Sequence, residues 1–239
     1  TKKLYVWRMN GSKRTSGIYL NPSSVTGAWR VAAVADFNAD GKPDILYQDH
    51  ATKKLYVWYM NGIKKTGGKY LTPDTAGGNW KVVGATDMNG DGKPDIVWQE
   101  ATTKKLYVWY MNGIKRTGGK YLTPNTAGGN WKVVAVQDMN GDGKPDLVWQ
   151  DFTAKKMYVW LMNGATKTGG KYLTPSSITG AWRISGGTGA WADIAASGSS
   201  VATDTADAAR TAESPATESK QGGCNAGAGV IAALLLLPV

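Results

Sequence analysis

The chain has 239 residues and 42% hydrophobic content, enough core for one large β domain or two ordinary ones. Its net charge of +10 comes without an arginine-rich run or a nucleic-acid motif, so nucleic acid is not an expected partner; an anionic polysaccharide, an acidic membrane or plain solubility fits the charge. The single cysteine, Cys224, excludes an intrachain disulfide. The chain opens at Thr1 in a strand-like run, with no initiator methionine or leader, and we expect a fragment of something longer.

Two tryptophan series set the period. Trp29, Trp80, Trp131 and Trp182 are each 51 apart, as are Trp7, Trp58, Trp109 and Trp160. They define three whole units, 29–79, 80–130 and 131–181, with partial units at 1–28 and 182–193. Each unit reads as four short strands rich in β-branched and aromatic residues. In the middle unit these are expected at 80–87, 95–99, 104–111 and 119–124, separated by an acidic loop, a lysine-containing linker and the Asn112-Gly113 turn. Strand three is apolar on both faces: Tyr107, Trp109 and Met111 on one, Leu106, Val108 and Tyr110 on the other. A strand buried on both faces lies inside a stack of sheets. The expected fold is therefore all-β, a β-propeller of four-stranded blades with a 51-residue repeat, and a solenoid is the rival. Closing 1–28 on 182–195 would give four blades; a piece of a larger ring is the favoured reading.

Between strands one and two of every unit stands a nine-residue loop: DFNADGKPD at 36–44, DMNGDGKPD at 87–95 and again at 138–146. In the middle copy Asp87, Asn89, Asp91 and Asp95 offer side-chain oxygens, and Lys93 offers its carbonyl. Several hard oxygens on one short loop suit Ca²⁺, which takes six to eight of them; Mg²⁺ demands tighter octahedral geometry, and zinc would want His or Cys. An EF-hand is excluded, because position 12 is Tyr47, Trp98 or Trp149 inside a strand instead of a bidentate Glu. The alternative is a metal-free turn, since Asp, Asn and Gly favour turns by themselves.

Past the repeats the composition turns to Ala, Ser, Thr, Gly and Glu, and residues 194–221 read as a disordered linker. Residues 222–239 follow as a short apolar tail. Its run from Ala226 to Val239 has 14 residues, fewer than the roughly 20 a membrane-spanning helix needs.

The D-x-N-x-D-G-x-x-D loop followed by a hydrophobic strand resembles the FG-GAP and VCBS repeats, which build β-propellers including the integrin α-subunit head. The resemblance covers roughly 1–190, although the Phe-Gly and Gly-Ala-Pro elements that name the family are absent. It implies structural calcium at Asp36, Asn38, Asp40 and Asp44, at Asp87, Asn89, Asp91 and Asp95, and at Asp138, Asn140, Asp142 and Asp146, joined by the backbone oxygens of Lys42, Lys93 and Lys144. Gly-Gly-Cys224 and the leucine-rich stretch after it are similar to bacterial sorting signals of the GlyGly-CTERM or Synergist-CTERM kind, without the basic cluster that usually ends them. This implies a bacterial surface protein with a membrane tether through the tail.

Three function classes remain at this level. The first is an extracellular or cell-surface binding and adhesion module, monomeric and calcium-stabilised, whose partner is a glycan or a protein; Tyr59 and Tyr110 beside the Asn-Gly turns are candidate aromatic platforms. The second is a non-catalytic scaffold of a larger surface enzyme such as a polysaccharide-degrading protein. The third is catalysis in this segment, for which nothing stands out. His50 is the sole histidine, no G-x-S-x-G motif occurs, and Asp49, Glu100 and Asp151 follow the same Gln at the exit of strand two.

Overall fold

The computed structural model describes residues 1–10 and 12–177, together with the backbone of 230–237. The partial unit at 182–193, the linker at 194–221 and Cys224 lie outside the described residues.

The described chain is all-β, in repeated units of four antiparallel strands; two units form separate four-stranded sheets, and the first is part of a seven-stranded sheet through a short parallel link at Asn21 and Lys64. Unit one consists of β3 (Trp29–Ala35), β4 (Asp44–Asp49), β5 (Leu55–Asn61) and β6 (Lys64–Tyr70). Unit two consists of β7 (Trp80–Thr86), β8 (Asp95–Glu100), β9 (Leu106–Asn112) and β10 (Lys115–Tyr121). Unit three repeats it with β11 (Trp131–Gln137), β12 (Asp146–Asp151), β13 (Lys156–Asn163) and β14 (Thr166–Ser177). Within each unit the strands pair in sequence order, and β7 touches both β3 and β11, so the first strands of the units lie side by side. The sheets are thus stacked as propeller blades are.

Ahead of unit one, β1 (Lys2–Asn10) and β2 (Lys13–Val25) correspond to strands three and four of a unit. The backbone of β15 (Val230–Leu237) runs antiparallel to β1, from Lys3 opposite Leu237 to Asn10 opposite Val230. It takes the side of β1 that strand two takes in the complete units.

Strand four begins earlier than the sequence suggests, at Lys115 and not near 119. The turn closes in two residues: Asn112 pairs with Lys115, and Gly113 takes a φ of 59° that a glycine-first hairpin turn requires. Gly118, just ahead of the expected start, and Gly119 both lie within the strand. At the equivalent Gly68, an added Cβ would sit 2.5 Å from the Val57 carbonyl oxygen and 2.7 Å from the Tyr56 ring. Glycine is needed there because strand four presses onto the tyrosine of strand three.

The two-faced reading of strand three holds. Trp109 and Met111 pack with Ile96, Trp98, Leu46, Leu55 and Val57 between units one and two. Leu106 and Val108 pack with Leu147, Trp149, Trp160 and Met162 between units two and three. Each blade shows an aromatic face to its predecessor and a smaller aliphatic face to its successor. Fully burying a side chain such as Leu106 or Met111 contributes about 1.5–3 kcal/mol.

Candidate functional site

All three acidic loops stand at one end of the sheets, where strand one hands over to strand two. The Asn-Gly hairpins reach the same end, because strand three runs antiparallel to strand two. Asp36, Asp87 and Asp138 line one shared recess of about 840 Å³, with Tyr110 and Lys120 also on its wall.

Each loop closes on its own backbone amides. In the middle copy, Asp87 Oδ1 accepts the amides of Gly90 at 2.7 Å and Asp91 at 3.1 Å, while Oδ2 accepts that of Gly92 at 2.7 Å. Asn89 Oδ1 accepts the Asp91 amide at 2.9 Å, and Asp91 Oδ1 accepts the Lys93 amide at 2.9 Å. Asn89 Nδ2 donates to Asp91 Oδ2 at 3.3 Å, the contact that ties position three to position five. The copy at 138–146 repeats this arrangement: Asp138 holds the amides of Gly141 and Gly143, Asn140 that of Asp142, and Asp142 that of Lys144. In the first copy Asp36 holds Asp40 and Gly41, Asn38 holds Asp40, and Asp40 holds Lys42. Ala39 there takes a φ of 59°, where the other copies have Gly90 and Gly141.

The ninth residue is set apart from the others. Asp44, Asp95 and Asp146 are fully buried. Asp95 Oδ2 accepts the Met88 amide at 3.0 Å and Oδ1 the Met111 amide at 2.9 Å, pinning the loop to strand three. Asp44 bridges Phe37 and Met60, and Asp146 bridges Met139 and Met162, in the same way. Burial pushes the Asp44 carboxyl up to about 6 and that of Asp95 up to about 7, against the pull of those two amides; the nearby loop aspartates push the same way. Asp146 is raised for the same reason. Asp138 goes the other way. Burial raises it, but the amides of Gly143, Gly141, Asn140 and Asp142 together outweigh that and hold it below the ordinary carboxylate range.

The donor set fits a hard divalent cation: three carboxylates, one amide oxygen and one backbone carbonyl on each loop. As the chain stands, no group of three or more His, Cys, Asp and Glu side chains among the described residues converges closely enough to hold a metal ion. Hydrogen bonds to backbone amides are what offset the crowding of carboxylates in this conformation.

Two contacts between blades escaped the sequence reading, one at this end and one at the opposite end. The second loop residue is a plug between blades: Phe37 packs with Trp98, Trp109 and Met111 of unit two, and Met88 with Trp149, Trp160 and Met162 of unit three. Both are 2% exposed, whereas the equivalent Met139 is 37% exposed. A Cβ on Gly113 would meet the Phe37 carbonyl oxygen at 3.1 Å, so the hairpin of one unit fits under the loop of the unit before it. The second feature is a glutamine clamp. Gln48 Nε2 donates to the Trp80 carbonyl at 2.9 Å and its Oε1 accepts the Val82 amide at 3.2 Å; Gln99 does the same to Trp131 and Val133. The signal was there, since Gln48, Gln99 and Gln150 are 51 apart.

Other singled-out residues have plain surroundings. Asp49 Oδ1 accepts the amides of Ala51 and Thr52, each at 2.8 Å, and Asp151 those of Thr153 and Ala154, so both cap the turn after strand two. Glu100 does likewise to Thr102 and Thr103. His50 lies in the same turn, held below its ordinary value by partial burial and by Arg30, Lys81 and Lys53. Tyr59 and Tyr110 are half-buried, their hydroxyls pushed up by burial and then by Asp44 and Asp95.

An FG-GAP-like repeat model matches residues 36–98 and 87–149, and each match begins at the first Asp of a loop. Together with the repeated sheets, these two matches support an FG-GAP repeat fold. Neither a curated protein nor a solved structure matches the chain.

Proposed function

We propose that this chain is a calcium-stabilised binding module, acting outside the cell or at its surface, that recognises a glycan or a protein. One observation carries the reading: three loops with the same donor set stand at one end of the stacked sheets, around one recess. Asp87, Asn89 and Asp91, with Asp95 beneath them and the Lys93 carbonyl, would hold an ion in the middle loop, and their counterparts would do so in the other two. Bound there, Ca²⁺ would supply positive charge to a carboxylate cluster that burial and mutual repulsion otherwise disfavour. Extracellular calcium keeps weak oxygen sites filled, whereas the cytosol does not, which is why the reading places the module outside.

Calorimetric titration of Ca²⁺ into the intact, chelator-treated chain tests this. The expected result is one site per loop, three in all, with one lost in Asp91→Ala and the others kept. Absence of any calcium heat would overturn the reading.

A further inference from the structure

At the end of the sheets away from the acidic loops, each unit carries a cage of aromatic rings. In unit two, strand one opens with Trp80, Tyr107 is second in strand three, and strand four closes with Tyr121. Their centroids are 6.2 Å apart for Trp80 and Tyr107, 4.8 Å for Tyr107 and Tyr121, and 6.5 Å for Trp80 and Tyr121. Deeper in the same face, Trp98 and Trp109 lie 4.8 Å apart. Trp98 and Trp109 belong to the core between units one and two, yet the packing of these rings is not complete. They border a crevice of about 290 Å³ whose opposite wall, Pro73, Thr75 and Ala76, belongs to the preceding unit. Tyr121 stands at its rim, 48% exposed.

The crevice carries one fixed positive charge. The Arg116 guanidinium lies 5.0 Å above the Trp109 ring and 5.7 Å above that of Tyr107, and it donates to Tyr107 Oη at 3.2 Å. Trp98 also lines it; this residue is 1% exposed, and its Nε1 has no hydrogen-bond partner. A buried N–H without an acceptor is costly.

The rings, the overlying cations and an unpartnered polar atom recur unit by unit. In unit three Trp131, Tyr158 and Tyr172 make the cage, Lys167 lies 4.9 Å above Trp160, and Trp149 Nε1 is again unpartnered. In unit one Trp29, Tyr56 and Tyr70 make it, Lys65 lies 4.6 Å above Trp58, and the unpartnered atom is the Tyr47 hydroxyl.

We infer that the crevice between consecutive units is a binding site for one anionic sugar ring, so that the stack reads an acidic polysaccharide at several points. This rests on the binding-module reading and specifies its ligand. A pyranose offers an apolar C–H face to aromatic rings, hydroxyls to Tyr and Trp donors, and a carboxylate or sulfate to the cation. About 290 Å³ is at the lower bound of ligand pockets and suits a single ring. The charge of the whole chain, +10, attracts the polyanion to the surface. Repeated weak sites on one chain then add up through effective concentration. A single-stranded nucleic acid is the less suitable polyanion: it wants open stacking faces beside a continuous cationic track, whereas the cations here are already laid across the rings, Arg116 in unit two, Lys54 and Lys65 in unit one, Lys156 and Lys167 in unit three.

The test uses the intact chain in calcium. It is titrated with a linear uronate oligosaccharide, a sulfated oligosaccharide, a neutral glucan oligomer of equal length and a single-stranded oligonucleotide, read by tryptophan fluorescence and calorimetry. The expected result is saturable binding of the uronate or the sulfated oligomer, which separates carboxylate from sulfate as the anionic group, and at least tenfold weaker binding of the neutral one. The triple variant Tyr70→Ala, Tyr121→Ala, Tyr172→Ala removes exposed rings only, so it should keep its circular dichroism and melting temperature while losing at least tenfold in affinity. Trp98→Phe, which deletes the N–H and keeps an aromatic ring, should weaken the unit-two site alone. No saccharide binding by the folded protein, equal binding of the neutral oligomer, preferential binding of the oligonucleotide, or undiminished binding by the triple variant would each overturn the inference. Calcium heat measured on the same samples separates the failures: calcium binding without saccharide binding removes this ligand and leaves the calcium-stabilised module, whereas saccharide binding without calcium does the reverse.

Discussion

Asp91 and Asp95 are four residues apart in one loop and have opposite surroundings. Asp91 is exposed and holds one amide of the loop; Asp95 is fully buried and holds two, one of them sixteen residues away in strand three. Asp95→Ala strands two buried N–H groups and should destabilise the chain by about 2–4 kcal/mol in chelator, whereas Asp91→Ala should cost about 1 kcal/mol or less. Urea unfolding of the two variants measures the contrast, and equal losses would mean that Asp95 is not a staple. The nine-residue spacing of the loop was plain in the sequence, and so were its oxygen-bearing positions. The Met111 amide was not, because nothing in the order of residues marks a backbone partner on another strand.

Among elements, strand three was the most legible, because an unbroken alternation of large side chains has one physical meaning in a stack of sheets. Strand four starts about four residues before the expected 119; its two glycines serve close approach to tyrosine rings, which only the paired strands reveal. The plug was missed for a related reason. A methionine or phenylalanine at the second loop position looks incidental until the next blade covers it. Met88→Ala should cost about 2–5 kcal/mol, as removal of a buried methionine does, while Met139→Ala, 37% exposed, should stay within about 1 kcal/mol. Thermal melts of the pair check this, and a costly Met139→Ala would show that the third loop is packed as the others are.

On the scale of the molecule, the 51-residue period gave the architecture, since each unit buries its faces only against its neighbours. The acidic loops and the aromatic cages then fall at opposite ends of the same blades. The period could not show that a crevice opens between units one and two, because its walls come from residues of both units at once. The most direct test of the calcium-stabilised module is thermal unfolding of the intact chain in millimolar Ca²⁺ and in chelator. A site filled at a hundred times its Kd adds about 2.7 kcal/mol, which for a chain of this size is about 5–10 °C. A rise of at least that size in calcium, with none in magnesium, is the predicted result; melting curves that coincide in calcium and in chelator would contradict it.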